Sequence, residues 1–170
     1  MRDTADFDEF YAGTSAQVLG HVFAMTGNRA EAEDAVAEAY ARAWQRWHQV
    51  RECVSPEAWV RRVAYRIAIS SWRKAINRLR AHHRDASGPD TAGLSPDHVA
   101  LLHALRQIPV EQRRAIVLHH LVGLSVAEIA TEVGAPVGTV KARLARGRAA
   151  MARHLSDTDE TVTGVVATHA

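Results

Sequence analysis

Residues 124–148 read LSVAEIATEVGAPVGTVKARLARGR, and this stretch decides the fold. Ser125 followed three residues later by Glu128 is the pattern of a capping box, in which a hydroxyl and a carboxylate satisfy free amides at the start of a helix. The spacing predicts a helix of about two turns, Val126 to Val133. Gly134 can take the positive φ that a tight turn demands. Ala130 is small where a second helix must cross closely, and Val140 and Leu144 are spaced to seat that helix against Ile129. Two helices so joined form a helix-turn-helix. The second, predicted from Val137 to about Arg153, carries Thr139, Lys141, Arg143, Arg146 and Arg148. Its first turn can enter a major groove while the later basic residues meet phosphates. Gly138 and Gly147 each cost about 1 kcal/mol of helix propensity relative to Ala. Close approach of backbone to DNA explains Gly138; nothing in the sequence explains Gly147. The other reading of these residues is an αα-hairpin with an exposed basic face.

On either side of this motif the apolar spacing is helical throughout, and no alternating run is long enough for a strand. Pro109 to Val122 is a helix closed by Gly123, and Ser95-Pro96 opens another through Val99, Leu102 and Leu105. Residues 85–95, rich in Asp, Ser, Gly and Pro, have turn formers and almost nothing that could build a core. They read as a flexible linker. On its other side Phe7, Phe10 and Tyr11 begin a short helix, and Val18, Leu19, Val22 and Phe23 line a second that Gly27 ends. Asn28 and Glu31 have capping-box spacing for a helix to about Trp47, with Ala32, Val36, Tyr40, Ala43 and Trp47 along one side. Ser55 and Pro56 open a further helix to about Arg80, with Trp59, Val63 and Ile67 inward. The predicted fold is all-α, with two small helical domains at residues 1–84 and 96–155 and a disordered acidic tail at 156–170.

The net charge of +2 hides strong segregation. Between Met1 and Glu38 two arginines face eight carboxylates; from Arg42 to Arg84 eleven basic residues face Glu52 and Glu57; from Arg113 to Leu155 seven face Glu128 and Glu132. Two basic blocks suggest two contacts with a polyanion and an acidic N-terminal part turned to something else. Solvated helix faces are the alternative. The composition, 47% hydrophobic and 24% charged, excludes disordered and low-complexity classes. No apolar run approaches the roughly 20 residues of a membrane span, and the acidic start lacks a secretory signal's basic and apolar segments. A cytoplasmic protein without membrane contact is expected. Cys53 is the only cysteine, so no internal bridge forms.

In the first basic block Trp59, Arg61, Arg62, Tyr65, Arg66, Trp72, Arg73 and Lys74 interleave aromatic and cationic side chains along one helix. Single-stranded DNA needs that combination: stacking platforms for unpaired bases, about 1–3 kcal/mol each, beside a cationic track. The same helix must also bury one face, so any of these aromatics is either platform or core.

Ala32 to Trp44 (AEDAVAEAYARAW), followed by Pro56 to Ala68 (PEAWVRRVAYRIA), resembles region 2 of the extracytoplasmic-function sigma factors of bacterial RNA polymerase. Leu105 to Arg113 (LRQIPVEQR) with the helix-turn-helix resembles their region 4. The two motifs occur in the family's order and cover nearly the whole chain from Phe7 to Leu155. The resemblance implies that Asp34, Glu38 and Arg42 dock on the clamp helices of the polymerase's largest subunit. It implies that Trp59, Arg61, Arg62, Tyr65, Arg66, Trp72 and Arg73 open and hold the -10 element, with the loop Gln49 to Ser55 placed to capture a flipped base. It assigns Thr139, Lys141, Arg143, Arg146 and Arg148 to the -35 duplex, and adds the polymerase flap region and an anti-sigma factor as partners. Members commonly have Asn at the position of Arg66 and Asp at that of Ser70.

Ten histidines invite a metal reading, but neighbours such as His82-His83 and His119-His120 point about 100° apart on a helix and form no chelate. No metal or cofactor is expected. Cys53 reads as a small half-buried residue rather than a redox sensor. No Ser-His-Asp motif, phosphate-cradling Gly loop or carboxylate pair with a pocket signature is evident, so catalysis is not expected. Two other readings compete. A stand-alone dimeric repressor or activator would bind duplex tightly without polymerase, yet no dimerisation helix or ligand domain is apparent. A helical sequestering protein would leave the Trp and Arg pattern without purpose.

Overall fold

The computed structural model describes the backbone of residues 2–81 and 96–166 and the side chains of residues 4–71 and 97–156. Eight helices and no strand occur among the described residues: α1 Arg2–Thr26, α2 Arg29–Gln45, α3 Trp47–Val50, α4 Pro56–Ala81, α5 Pro96–Gln107, α6 Val110–His120, α7 Val126–Val133 and α8 Val137–Val166. The chain divides into two compact units, Met1–Asp90 and Thr91–Ala170. The predicted linker, 85–95, lies outside the described residues.

In the first unit α1 is one helix, where the sequence suggested two. Gly13 and Gly20 are both exposed, so they weaken the helix without interrupting its inner face. That face runs through Thr14, whose hydroxyl bonds the Phe10 carbonyl and the Tyr40 hydroxyl, both at 2.7 Å. It continues through Val18, Val22 and Met25, all essentially buried. Gly27 ends α1 with φ of 75°. Asn28 then caps α2, its side-chain oxygen accepting from the Glu31 amide at 3.1 Å.

Ala32, Ala35, Ala39 and Ala43 make the buried face of α2 nearly flat, which lets α1 and α4 pack closely on it. At one end Phe7, Phe10, Tyr11, Tyr40, Trp44 and Trp47 form an aromatic cluster, with Trp47 stacked on Phe10 at 5.1 Å and edge-on to Phe7 at 5.2 Å. Trp47 belongs to α3 rather than to α2, because α2 stops at Gln45.

Ser55 caps α4 through a bond from the Ala58 amide at 3.1 Å. The inward stripe of α4 is Val60, Ala64 and Ala68, at 0%, 0% and 1% exposure. Trp59, Val63 and Ile67, expected inside, are only half-buried. The helix is rotated because its alanines, not its large side chains, fit the flat face of α2.

The second unit closes around Leu105, Ile108, Leu118, Ile129, Val140 and Leu144. Helix α8 does not fray after Leu155 as expected but continues to Val166. Its crossing with α6 explains Gly147: a Cβ there would lie 3.0 Å from Ile116 Cγ1 and 3.4 Å from Gln112 Cβ. Gly147→Ala gains about 1 kcal/mol of helix propensity and loses a similar amount to crowding, so the melting temperature should barely move. Gly147→Leu should lose about 1–3 kcal/mol, and with it roughly 4–8 °C per kcal/mol in a thermal melt.

Candidate nucleic-acid and polymerase interfaces

The helix-turn-helix forms, with α7 at its predicted bounds and α8 starting at Val137 as predicted but running past Arg153 to Val166. Ser125 Oγ accepts from the Glu128 amide at 3.3 Å, and the Glu128 carboxylate accepts from the Ser125 amide at 2.8 Å. Hydrogen bonding of the Glu128 carboxyl to the Ser125 side chain, and then to the Ser125 backbone amide, holds it below its ordinary pKa. Gly134 closes α7 in the left-handed region, φ 67° and ψ 41°, and Ile129, Val140 and Leu144 share one core.

Position along α8 sorts its side chains at about 100° per residue. Val140, Leu144, Gly147 and Met151 face inward. Thr139, Arg143 and Arg146 follow one flank, Lys141 and Arg148 the other. Between the flanks, opposite the core, Gly138, Ala142, Ala145 and Ala149 make a crest without a large side chain. Arg146, Arg148 and Lys141 are exposed, whereas Thr139 and Arg143 are half-buried. Val137, the first residue of the helix, adds an exposed apolar side chain that the sequence reading passed over.

Two arginines of α8 are tied to α6, one on each flank. Arg143 Nη1 lies 3.3 Å from Glu111 Oε2. Arg148 Nε donates to His120 Nε2 at 3.3 Å. Burial, then the neighbouring His119 ring and the Arg148 charge, lower the His120 pKa. The ring is therefore neutral at pH 7 and can accept. His119 Nδ1 donates to the Leu124 carbonyl at 2.8 Å, bracing the turn before α7. Glu111 was not singled out from the sequence, and His120 was weighed there only as a metal ligand, because no local spacing links α6 to α8. Each histidine of this pair thus has a bonding partner, and no metal-binding group of His, Cys, Asp and Glu occurs among the described residues.

In the first unit the structure divides the aromatic and basic set. Trp59 and Arg62 are half-buried and Arg66 is exposed, all on the outer flank of α4. Arg61 and Tyr65, read as DNA contacts, point the other way and are 3% and 4% exposed. Arg61 pairs with Glu57 at 3.4 Å inside the bundle. The correction follows from the phase of α4: facing Val60, Ala64 and Ala68 inward carries Arg61 and Tyr65 in with them. The side chains of Trp72 and Arg73 lie outside the described residues.

On α2 the exposed residues Asp34, Glu38 and Arg42 lie four apart on one face, and Arg42 Nε pairs with Glu38 Oε1 at 2.8 Å. Arg42 also lines a groove of about 350 Å³ between α2 and α4, with Val63, Arg66, Ile67, Ser70 and Ser71. Two arginines assigned from the sequence to different contacts thus border the same groove. In the loop before α4, Cys53 is exposed rather than half-buried, its Sγ 3.6 Å from the Gln49 carbonyl, and Val54 is fully exposed. No helix among the described residues is long and apolar enough to cross a membrane.

A helix-turn-helix in one unit and a basic, Trp-bearing helix in the other define a two-unit, all-helical DNA-binding protein. Sequence models agree: that of sigma-70 region 2 matches residues 10–82, and that of sigma-70 region 4 matches residues 98–151. The ECF RNA polymerase sigma factor SigL of Mycobacterium tuberculosis is 34% identical over 141 residues, covering 79% of this chain and 80% of the relative. SigM of the same organism is 30% identical over 155 residues, covering 90% and 79%. Among solved structures, the sigma factor RpoE in complex with the anti-sigma factor NepR, from Bartonella quintana, matches with a TM-score of 0.75 at 23% identity, over 89% of this chain and 97% of that one. The chain belongs to the extracytoplasmic-function group of the sigma-70 family, the sigma factors of RNA polymerase.

Proposed function

We propose that this chain carries core polymerase to its promoters through three surfaces: α2 for the enzyme, the outer flank of α4 for unpaired -10 nucleotides, and α8 for -35 duplex. The observation that carries the duplex reading is the division of α8, with a smooth crest between two polar and basic flanks. Arg146 on one flank and Lys141 and Arg148 on the other suit the two phosphate walls of a major groove, and Arg143, nearer the helix start, suits a base edge. Val137 suits a thymine methyl at the helix start. On α4, Trp59 offers a stacking face beside Arg62 and Arg66. The described members of the predicted -10 set therefore reduce to Trp59, Arg62 and Arg66, with Arg61 and Tyr65 holding the bundle.

The acidic face of Asp34 and Glu38, with Arg42 beside it, would dock on the clamp helices, and the second unit would meet the flap region. The chain itself carries out no chemical step, and it acts in the cytoplasm. Because a solved relative is held by an anti-sigma factor, a regulator of that kind is a further proposed partner. Each grip is modest alone; tethering makes the second contact intramolecular once the first has formed.

Run-off transcription with core polymerase and a genomic fragment library tests the whole reading: selective initiation that requires this chain is the expected result, and unselective initiation would overturn it. Asp34→Ala with Glu38→Ala should weaken association with core polymerase roughly tenfold, since rim charges act mainly through modest steering and pairing energies. Both residues are exposed, so the melting temperature of the free chain should hold. Loss of promoter selectivity by holoenzyme already assembled at saturating concentration would contradict the division of surfaces.

A further inference from the structure

We propose that Glu111 is a specificity-determining positioning residue, whose carboxylate holds the Arg143 guanidinium in the orientation that reads one base pair. The inference rests on the reading of α8 as the duplex-recognition helix. Glu111 lies in the first turn of α6, outside the helix-turn-helix, yet its Oε2 comes within 3.3 Å of Arg143 Nη1.

An arginine side chain has many rotamers, and bidentate recognition of a guanine edge uses a single placement of a planar fork. A carboxylate on Nη1 selects that placement in advance and leaves the edge formed by Nε and Nη2 open to a base. Gly147 lets α8 approach Ile116 and Gln112 of α6 closely, and that crossing sets the distance between the helices that carry Glu111 and Arg143. Exposure is consistent with a guanidinium held at one edge: the Arg143 side chain retains 24% and Glu111 retains 47%. A pair this open adds little to the stability of the fold.

A carboxylate beside a DNA-binding surface also has a cost, because it repels phosphates and weakens binding to every sequence. Its presence next to a recognition arginine therefore predicts an unusual combination when it is removed. Non-specific affinity should rise while discrimination falls. A purely structural residue would lower both, and a residue that merely sequesters Arg143 would raise both.

The test uses the full chain assembled with core polymerase on promoter fragments carrying every single base-pair change in the -35 element, alongside a scrambled duplex. Arg143→Ala identifies the base pair that Arg143 reads. Glu111→Ala is expected to flatten preference at that same base pair at least fivefold, to leave the other positions within twofold, and to raise affinity for scrambled duplex about two- to threefold. Glu111→Asp should restore part of the preference, and in an Arg143→Ala background Glu111→Ala should change discrimination no further. Unchanged preference at that base pair, an equal loss at all positions, or stronger discrimination overturns the proposal. If Arg143→Ala itself leaves every preference intact, the reading of α8 falls and the role of Glu111 with it. If Arg143→Ala flattens one position and Glu111→Ala does not, the role of Glu111 alone falls.

Discussion

Replacing Arg143 and Arg146 together by alanine is expected to lower -35-dependent initiation by roughly 30- to 1,000-fold while leaving association with core polymerase intact. Each good arginine contact is worth about 1–3 kcal/mol, and the pair is worth less than the sum because both lie on one flank of α8 and share neighbours. At about 1.4 kcal/mol per decade, a combined loss of roughly 2–4 kcal/mol gives that range. The structure adds a reason for the larger figure. Removing Arg143 leaves the Glu111 carboxylate without its cation, 3.3 Å away in the intact protein, where it would repel the phosphates of a bound duplex. Arg143→Ala with Glu111→Gln should therefore lose less affinity than Arg143→Ala alone. Transcription and pull-down, measured separately, check the result; a matched loss in both would place these arginines in the fold rather than in recognition.

The second large effect concerns Ile129, which is fully buried between α7 and α8. Truncating such a side chain to alanine costs about 2–5 kcal/mol, because the cavity collapses only in part. A domain of this size has a total stability of about 0.05–0.15 kcal/mol per residue, which for some 60 residues is of the same order. Ile129→Ala is thus expected to unfold the second unit at or near 37 °C while the first stays folded. Calorimetry should show one transition preserved and one lost. Ile129→Val, which costs about 0.5–1.5 kcal/mol, should keep both. A single transition lowered as a whole would mean that the two units unfold as one.

The helix-turn-helix was legible because its signals are local. Ser125 and Glu128 are three residues apart, and Gly134 closes the turn in which it stands. Asn28 and Gly27 mark the start of α2 and the end of α1 in the same way. Rotation of a helix about its axis is a different kind of information. Helix α4 has aromatic and basic residues on both sides, and the face that goes inside was decided by α1 and α2, which packed against Val60, Ala64 and Ala68. A shift of one residue, about 100°, was enough to move Arg61 and Tyr65 from the predicted DNA contacts into the interior. The break expected within α1 failed for a related reason: whether exposed glycines interrupt a helix depends on the partner surface beneath them. The ties from Glu111 to Arg143 and from His120 to Arg148 were beyond reach from spacing, because they are made across the fold.

The smooth crest of α8 has one mechanical consequence. A rod with cations along both sides and nothing bulky on top is indifferent to sliding lengthwise but resists rolling, since any roll that brings one side nearer its strand lifts the other away. Lodged between two strands it would behave like a keel, holding its heading while leaving the depth of immersion to the sugars and bases beneath.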